Sequence, residues 1–130
     1  MQNLAFDTNT YTALGRGNKP LSKLVASVAH IGLQITVLGE IHFGIMNGSQ
    51  TKTNSILLER FLSNTRVEIL NINEETTKLF GEIATELRRI GRPIQQNDIW
   101  IAASCKQYGY RLITNNNGFS NITGLELINF

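Results

Sequence analysis

The chain has little of the chemistry that cross-links small proteins. Its 130 residues include one cysteine, Cys105, so an internal disulfide cannot form. With only two histidines, His30 and His42, the sequence also lacks the four-ligand sets that hold structural zinc. Packing alone must therefore stabilise the fold. A chain of this length is expected to form one domain over residues 1–130.

Long hydrophobic runs are also missing. The longest mostly apolar stretch, residues 24–39, is interrupted by His30 and Gln34 and is too short and too polar to cross a bilayer. Residues 1–3 show neither the basic start nor the apolar core of a secretory leader. We therefore expect a cytoplasmic protein that has no membrane partner.

Aspartate is scarce as well. The sequence has two aspartates, Asp7 and Asp98, against fourteen asparagines and eight glutamates. Most of the glutamates lie in segments that are typical of solvated helix surfaces. The positions of the two aspartates are therefore the first to examine for chemistry.

Short apolar or β-branched runs alternate with longer segments of helical spacing, which predicts a parallel sheet joined by helical crossovers. Strands are predicted at residues 3–6, 33–36, 66–70, 111–114 and 125–129, and helices at residues 8–15, 19–30, 37–47, 51–64, 74–90 and 97–108. The predicted fold class is α/β, a three-layer α/β/α sandwich with a short-stranded, mainly parallel five-stranded sheet. Gly48 is expected to end the third helix as a left-handed cap, and Gly44 to pack closely.

Three carboxylates occupy positions where such folds bind ligands, outside the carboxyl ends of the strands. Asp7 follows the first predicted strand, Glu40 lies one turn into the helix after the second, and Asp98 begins the last helix. Each has an ordinary alternative that stays open when the residue is taken alone. The aspartates could cap their helices, and the glutamate could extend its head into water.

Taken together, the three acids predict a metal site. Three carboxylates in one cleft would repel one another unless a cation neutralised them. Oxygen ligands without a thiolate or paired imidazole suit Mg²⁺ or Mn²⁺, whose bound waters serve phosphoryl chemistry. With these three acids set aside, the rest of the chain carries a charge of +5, which suits an anionic substrate.

The turn after the fourth predicted strand lies at the same edge of the sheet. It contains Thr114, Asn115 and Asn116, and Asn9 follows the first strand at this edge. Asparagine side chains can orient water or contact a phosphate, but they also favour tight turns, so both interpretations stay open. Arg92 precedes the last helix and is either a basic contact to substrate or part of a solvated helix end.

Other reactive groups and site patterns are set aside. A haloacid-type phosphatase needs a second aspartate where this chain has Asn9, and a response-regulator receiver needs one where the third strand ends in Asn71. We expect His30 at a helix end, His42 on the surface or in packing, and Cys105 as a buried thiol.

Four segments, in order and in register, carry a resemblance to a known family. They are Asp7-Thr8-Asn9; Leu38-Gly39-Glu40-Ile41 with Gly44; Arg92-Pro93-Ile94 leading to Asn97-Asp98-Ile99-Trp100-Ile101-Ala102-Ala103; and Ile113-Thr114-Asn115-Asn116 with Phe119, Ile122, Gly124 and Leu125. The pattern resembles PIN-domain ribonucleases, specifically VapC-type toxins of bacterial toxin–antitoxin pairs, and extends from one end of the chain to the other.

The resemblance implies a domain whose acids bind Mg²⁺ or Mn²⁺ and cut RNA, including the anticodon loop of initiator transfer RNA. Its three main acids match Asp7, Glu40 and Asp98. Asn116 falls where many members have a fourth acid, and Thr114 matches a residue that helps to position the site. The resemblance also implies a homodimer that is silenced by a small antitoxin, whose carboxyl-terminal segment enters the cleft.

We therefore expect metal-assisted hydrolysis that gives 5′-phosphate and 3′-hydroxyl ends. Asp7 and Asp98 would hold the ion, and Glu40 would complete its shell or orient the attacking water. Asn9, Thr114, Asn115 and Arg92 are the candidate substrate contacts, and Asn116 joins the catalytic set. The alternative is a non-catalytic RNA-binding or protein-interaction module on the same scaffold, which divalent-ion binding without RNA cleavage would favour.

Overall fold

The structure is a computed structural model that describes residues 2–130. The strands are β1 (Asn3–Phe6), β2 (His30–Gln34), β3 (Val67–Leu70), β4 (Arg111–Thr114) and β5 (Leu127–Asn129). The helices are α1 (Thr8–Gly15), α2 (Lys19–Ala26), α3 (Ile35–Met46), α4 (Thr51–Ser63), α5 (Glu74–Arg89) and α6 (Gln96–Tyr108), and a 3-10 helix (Asn117–Asn121) follows β4. The predicted α/β fold class is confirmed.

All pairings in the sheet are parallel, in the order β3-β2-β1-β4-β5. The central strand β1 pairs Phe6 with Leu33 on one side and with Ile113 on the other. Its residues Leu4, Ala5 and Phe6 have no exposed surface, so helices cover both faces of the sheet. Because the strand order reverses beside β1, the crevice where such folds bind ligands opens at the carboxyl ends of β1 and β4.

The segment around β2 differs from the prediction. Helix α2 ends at Ala26, and His30 begins a strand, where it is exposed, rather than ending a helix. The predicted strand at residues 33–36 is wrong in its second half because Ile35 and Thr36 belong to α3. The Gln34 side chain accepts a hydrogen bond from the Thr36 backbone nitrogen, and this cap outweighs the β-propensity of the two residues that follow it.

The two glycine predictions for α3 are also wrong. The helix ends at Met46 with Asn47 as its C-cap, and Gly48 is not among the glycines with positive φ in the described chain. Gly48 instead allows its backbone to lie close to the last turn of α3, since a Cβ there would lie 3.1 Å from the Gly44 carbonyl oxygen. Gly44 itself is exposed, and a Cβ on it would meet open space. Gly109, by contrast, ends α6 in the left-handed conformation with φ 76°.

Strands β3 and β5 begin one and two residues later than predicted. Arg66, which precedes β3, has a different role. Its Nη1 donates to the carbonyl oxygens of Val25 and Val28 at 3.0 and 3.1 Å, satisfying acceptors at and after the end of α2. No helix within residues 2–130 has the length and apolar character needed to span a membrane.

Candidate active site

Asp7 lies directly after β1, at the carboxyl edge of the sheet, and is 6% exposed. Its side chain is the N-cap of α1, because Oδ1 accepts a hydrogen bond from the Thr10 backbone nitrogen at 2.9 Å. The capping alternative is therefore correct for this residue. It does not exclude a site role, because the carboxylate lies at the edge where the strand order reverses.

Two buried threonines hold the Asp7 carboxylate in place. Thr114, the last residue of β4, donates its hydroxyl to Asp7 Oδ2 at 2.5 Å. Thr10 Oγ1 lies 2.7 Å from Asp7 Oδ1 and 2.6 Å from the Ile113 carbonyl oxygen, so its single proton is shared between two acceptors. Both threonines have no exposed surface. The ends of β1 and β4 are therefore joined through one carboxylate.

Glu40 lies in α3 and is half-buried beside Val37 and Ile41, as the helical spacing predicted. Its Oε1 accepts a hydrogen bond from the Thr8 hydroxyl at 2.9 Å, although the two residues are 32 positions apart in the sequence. Thr8 is the first residue of α1 and follows Asp7. This bond turns Glu40 toward the start of α1 rather than away into solvent.

Asp98 lies in the first turn of α6 and is half-buried. Its pKa is raised above the ordinary value of 3.8, first by burial and then by the negative charges of Glu40 and Asp7. Asn116 Nδ2 lies 3.5 Å from Asp98 Oδ2, a long donor contact, and Asn116 Oδ1 accepts from the Gly118 backbone nitrogen at 2.8 Å. Hydrogen bonds through Thr8, Thr114 and Asn116 thus link the regions of Asp7, Glu40 and Asp98, and we call these three residues the acid site.

The three acids of the acid site do not by themselves enclose a position for a metal ion. Within residues 2–130, no three His, Cys, Asp or Glu side chains are grouped closely enough to hold an ion between them. The salt bridges in this part of the chain, Arg89–Glu86 and Arg111–Glu126, leave the acid site out. The hydrogen bonds to its carboxylates come from threonines, a backbone amide and an asparagine amide, which are all neutral. The hydrogen-bond donors that stabilise the negative charge of the acid site are therefore all uncharged.

The predicted substrate contacts separate into two groups. Thr114 has no exposed surface, so its predicted contact with substrate is replaced by its bond to Asp7. Asn9 and Asn115 are exposed and line one open groove beside the acid site. Arg92 is exposed in the loop before α6. Arg89, three residues earlier, forms a salt bridge with Glu86 at 2.6 Å on the exposed end of α5. Arg89 therefore belongs to a solvated helix end.

The sequence reasoning missed the threonines Thr8 and Thr10. For Thr10 the available signal was its spacing from Asp7, because a hydroxyl three residues after an N-cap can reach back to it. Thr8 bonds Glu40, 32 positions away in the sequence, so no local signal marked its role. Cys105 is buried, and its pKa is raised to about 12 by burial and by the charge of Asp7, which confirms the buried thiol. His42 is exposed on α3.

The fold and this site define the class of protein. The PIN domain family model matches residues 5–125, which is nearly the whole chain. The chain therefore belongs to the PIN-domain family. An all-parallel five-stranded sheet, with one acid directly after β1 and one each in α3 and α6, agrees with that assignment.

Named relatives narrow the assignment. Ribonuclease VapC2 of Rickettsia felis is 33% identical over 109 residues, which cover 83% of this chain and 80% of that protein. Ribonuclease VapC2 of Haemophilus influenzae is 30% identical over 112 residues, which cover 85% and 83%. The crystal structure of VapBC2 from Rickettsia felis bound to a promoter DNA fragment superposes with a TM-score of 0.89 at 28% identity, covering 99% of both chains. Within the PIN-domain family, the chain is a VapC-type ribonuclease.

Proposed function

We propose that this chain is the toxin of a type II toxin–antitoxin pair and hydrolyses RNA phosphodiesters internally, with Mg²⁺ or Mn²⁺ at the acid site. The products would carry 5′-phosphate and 3′-hydroxyl ends. One observation carries the proposal: the negative charges of Glu40 and Asp7 add to burial in raising the pKa of Asp98, and no cationic side chain of residues 2–130 forms a salt bridge with these three acids. A bound cation would relieve this repulsion.

The donor set fits a hard divalent ion. Magnesium is usually held by one or two carboxylates and keeps several waters, so acids that do not enclose an ion directly still suit it. Thiolate is excluded as a ligand because Cys105 is buried and protonated. When bound, the ion lowers the pKa of water and stabilises charge that develops on the phosphoryl oxygens.

The surrounding residues orient the acids. Both Asp7 oxygens accept hydrogen bonds from buried threonines, which hold the carboxylate in one position. Glu40 uses Oε1 to accept from Thr8, which leaves Oε2 to orient the attacking water. Asn116 is fixed by Gly118 and directs its amide nitrogen at Asp98. A fourth acid at position 116 would add repulsion, so the neutral amide suits a site that already carries three charges.

The test compares Asp98→Asn with the parent protein. RNA from a panel that includes initiator transfer RNA and unstructured oligonucleotides is incubated with Mg²⁺, with Mn²⁺ or with a chelator. We expect metal-dependent cleavage by the parent and a loss of at least about 100-fold in Asp98→Asn, with an unchanged circular dichroism spectrum. Glu59→Gln removes an exposed carboxylate from α4 and is the matched control. Equal cleavage by the parent and Asp98→Asn would remove Asp98 from the mechanism.

The alternative function predicts a different result. A non-catalytic module would bind Mn²⁺ and RNA, but it would leave the RNA intact with every metal. Asn116→Asp then supplies a second comparison, because restored cleavage in that variant would indicate that the amide had replaced a catalytic acid.

We also propose a small antitoxin partner and a homodimer. Exposed large apolar side chains support a protein interface: Phe43 and Met46 on α3 are 70% and 71% exposed, and Ile56 and Leu57 on the neighbouring α4 are 41% and 47% exposed. The VapBC2 structure from Rickettsia felis supports a VapB-like partner. Light scattering of the chain alone, and of the chain co-expressed with a small protein encoded beside it, tests both.

A further inference from the structure

An open groove of about 520 Å³ lies beside the acid site, between α1 and the turn after β4. Its lining includes Asn9, Thr12, Ala13 and Arg16 of α1 and the following turn, together with Asn18 and Asn115. Asn9 lies two residues after Asp7. Asn115 lies between Thr114, which bonds Asp7, and Asn116, which contacts Asp98. One end of the groove is therefore formed by residues that neighbour Asp7 and Asn116 in the sequence.

The groove follows one face of α1. Asn9, Thr12 and Arg16 have the i, i+3, i+7 spacing that places residues on one side of a helix. At 1.5 Å per residue, the seven positions from Asn9 to Arg16 cover about 10 Å along the helix. The groove thus extends from Asn9, two residues after Asp7, to the guanidinium of Arg16.

The charge in the groove suits an anionic chain. Among the described residues that line it, Arg16 is the one charged side chain. Arg16 is exposed and takes part in neither salt bridge of residues 2–130. A phosphodiester cut at the acid site has a second phosphate one nucleotide away, and a guanidinium is well matched to it.

Several polar atoms of the lining are already oriented. Asn18 caps α2 by accepting from the Leu21 backbone nitrogen at 3.0 Å, so its Nδ2 is the part of the amide left for a ligand. Thr12 donates its hydroxyl to the Thr8 carbonyl oxygen at 3.0 Å and keeps lone pairs to accept with. Asn115 is held between two hydrogen-bonded neighbours. Such donors and acceptors match the edges of unpaired bases.

We propose that this groove binds the nucleotide next to the scissile phosphate of single-stranded RNA, with Arg16 on the flanking phosphate and the asparagine amides on the base. The proposal rests on the function proposed above and names the substrate contacts of the same site. RNA is favoured over a protein segment because Ala13 and Gly17 are the only apolar lining positions among the described residues. The apolar surface on α3 and α4 is better suited to a protein partner.

The test measures RNA binding in the cleavage-deficient Asp98→Asn protein, by fluorescence anisotropy with a 5′-labelled, unstructured 12-nucleotide RNA of mixed sequence. We expect Arg16→Ala to weaken binding by about 10-fold and to lower the salt slope by about 0.7, because one phosphate contact is lost. Arg16→Lys should recover part of the affinity. Arg60→Ala, which removes an exposed arginine from α4, is the matched control and should bind as the parent does.

A neutral-phosphate scan locates the contact. A methylphosphonate placed at successive positions of the same RNA should weaken binding at one position next to the cleavage site, and Arg16→Ala should add no further loss there. Asn9→Ala and Asn115→Ala should alter the base preference at that nucleotide by about 5- to 50-fold. In the metal-loaded enzyme with Asp98 intact, Arg16→Ala should raise KM more than it lowers kcat.

The results separate this proposal from the hydrolytic function. Arg16-dependent RNA binding without metal-dependent cleavage would support the groove and contradict the nuclease. Cleavage with RNA affinity unchanged in Arg16→Ala would overturn the groove and leave the nuclease standing. The groove proposal is also overturned if Asp98→Asn binds no RNA, or if Arg16→Ala weakens only the association with a co-expressed antitoxin.

Discussion

Thr114→Val removes a single hydroxyl from the centre of the acid site while keeping the shape of the side chain. In the structure this hydroxyl donates to Asp7 Oδ2 at 2.5 Å and accepts from the Asn116 backbone nitrogen at 3.0 Å, with no exposed surface. A hydrogen bond to a charged group contributes about 1.5–3 kcal/mol, and the unpaired amide of Asn116 adds a smaller cost. We expect the free energy of unfolding to fall by about 2–3 kcal/mol.

Thermal unfolding in the presence of a chelator measures this loss. For a chain of this length, about 1 kcal/mol corresponds to about 4 °C, so Thr114→Val should melt about 8–12 °C below the parent. Thr114→Ser keeps the hydroxyl and loses one buried methyl group. That control should therefore melt only about 4 °C lower.

The same pair of variants separates positioning from stability. Because Thr114 orients an acid rather than contacting RNA, Thr114→Val should lower Mn²⁺ affinity and cleavage by about 10- to 100-fold at a temperature where it is folded. Thr114→Ser should cut RNA nearly as well as the parent. A valine variant that melts and cleaves like the parent would refute the role assigned to this hydroxyl.

Three further outcomes follow from the structure. Asp98→Asn should raise the melting temperature of the metal-free protein at pH 7, because burial and neighbouring acids raise the pKa of Asp98 and make its ionised form unfavourable. Gly32→Ala should lower the free energy of unfolding by about 1–3 kcal/mol, since a Cβ would lie 2.9 Å from side-chain atoms of Leu70 and Tyr110. Arg66→Ala should lower the free energy of unfolding by about 1–2 kcal/mol, because the carbonyl oxygens of Val25 and Val28 lose their guanidinium donor.

Each of these outcomes has its own control. The gain in Asp98→Asn should disappear as the pH falls below the ordinary carboxyl range, where Asp98 is protonated in both states; a gain that persists there contradicts the electrostatic cause. Gly32→Ala and Gly81→Ala are compared by urea titration. Gly81 lies in open space within α5, so Gly81→Ala should stabilise the protein by about 0.5–1 kcal/mol, opposite in sign to Gly32→Ala. Arg66→Lys should recover less than half of the loss, because one ammonium cannot copy the guanidinium.

Much of the fold followed from local patterns. Strands β1 and β4 and helix α1 have the predicted bounds, because an apolar run followed by Asp7 or by a turn is an unambiguous local signal. The segment around β2 was harder to predict. It is buried on nearly all positions, so it lacks the alternation that marks a strand, and the start of α3 depends on a cap by Gln34.

The acids were predictable for a different reason. Their residue types, and their positions after strands or at helix starts, already indicated the carboxyl edge of the sheet. The strand order then locates the ligand-binding crevice of that edge at β1 and β4. The hydrogen bonds that organise them join residues 32 and 107 positions apart, as with Thr8 to Glu40 and Thr114 to Asp7. Contacts of that separation leave no periodic trace in a sequence.

By itself, the sequence determined the α/β class, the absence of cross-links and which side chains could carry charge chemistry, because periodicity and residue type are local properties. The tertiary structure alone decided that Thr114 holds Asp7 rather than contacting a substrate, and that Asn9, Arg16 and Asn115 share one groove. Burial and distance decide such roles, and both arise only when separate elements pack together.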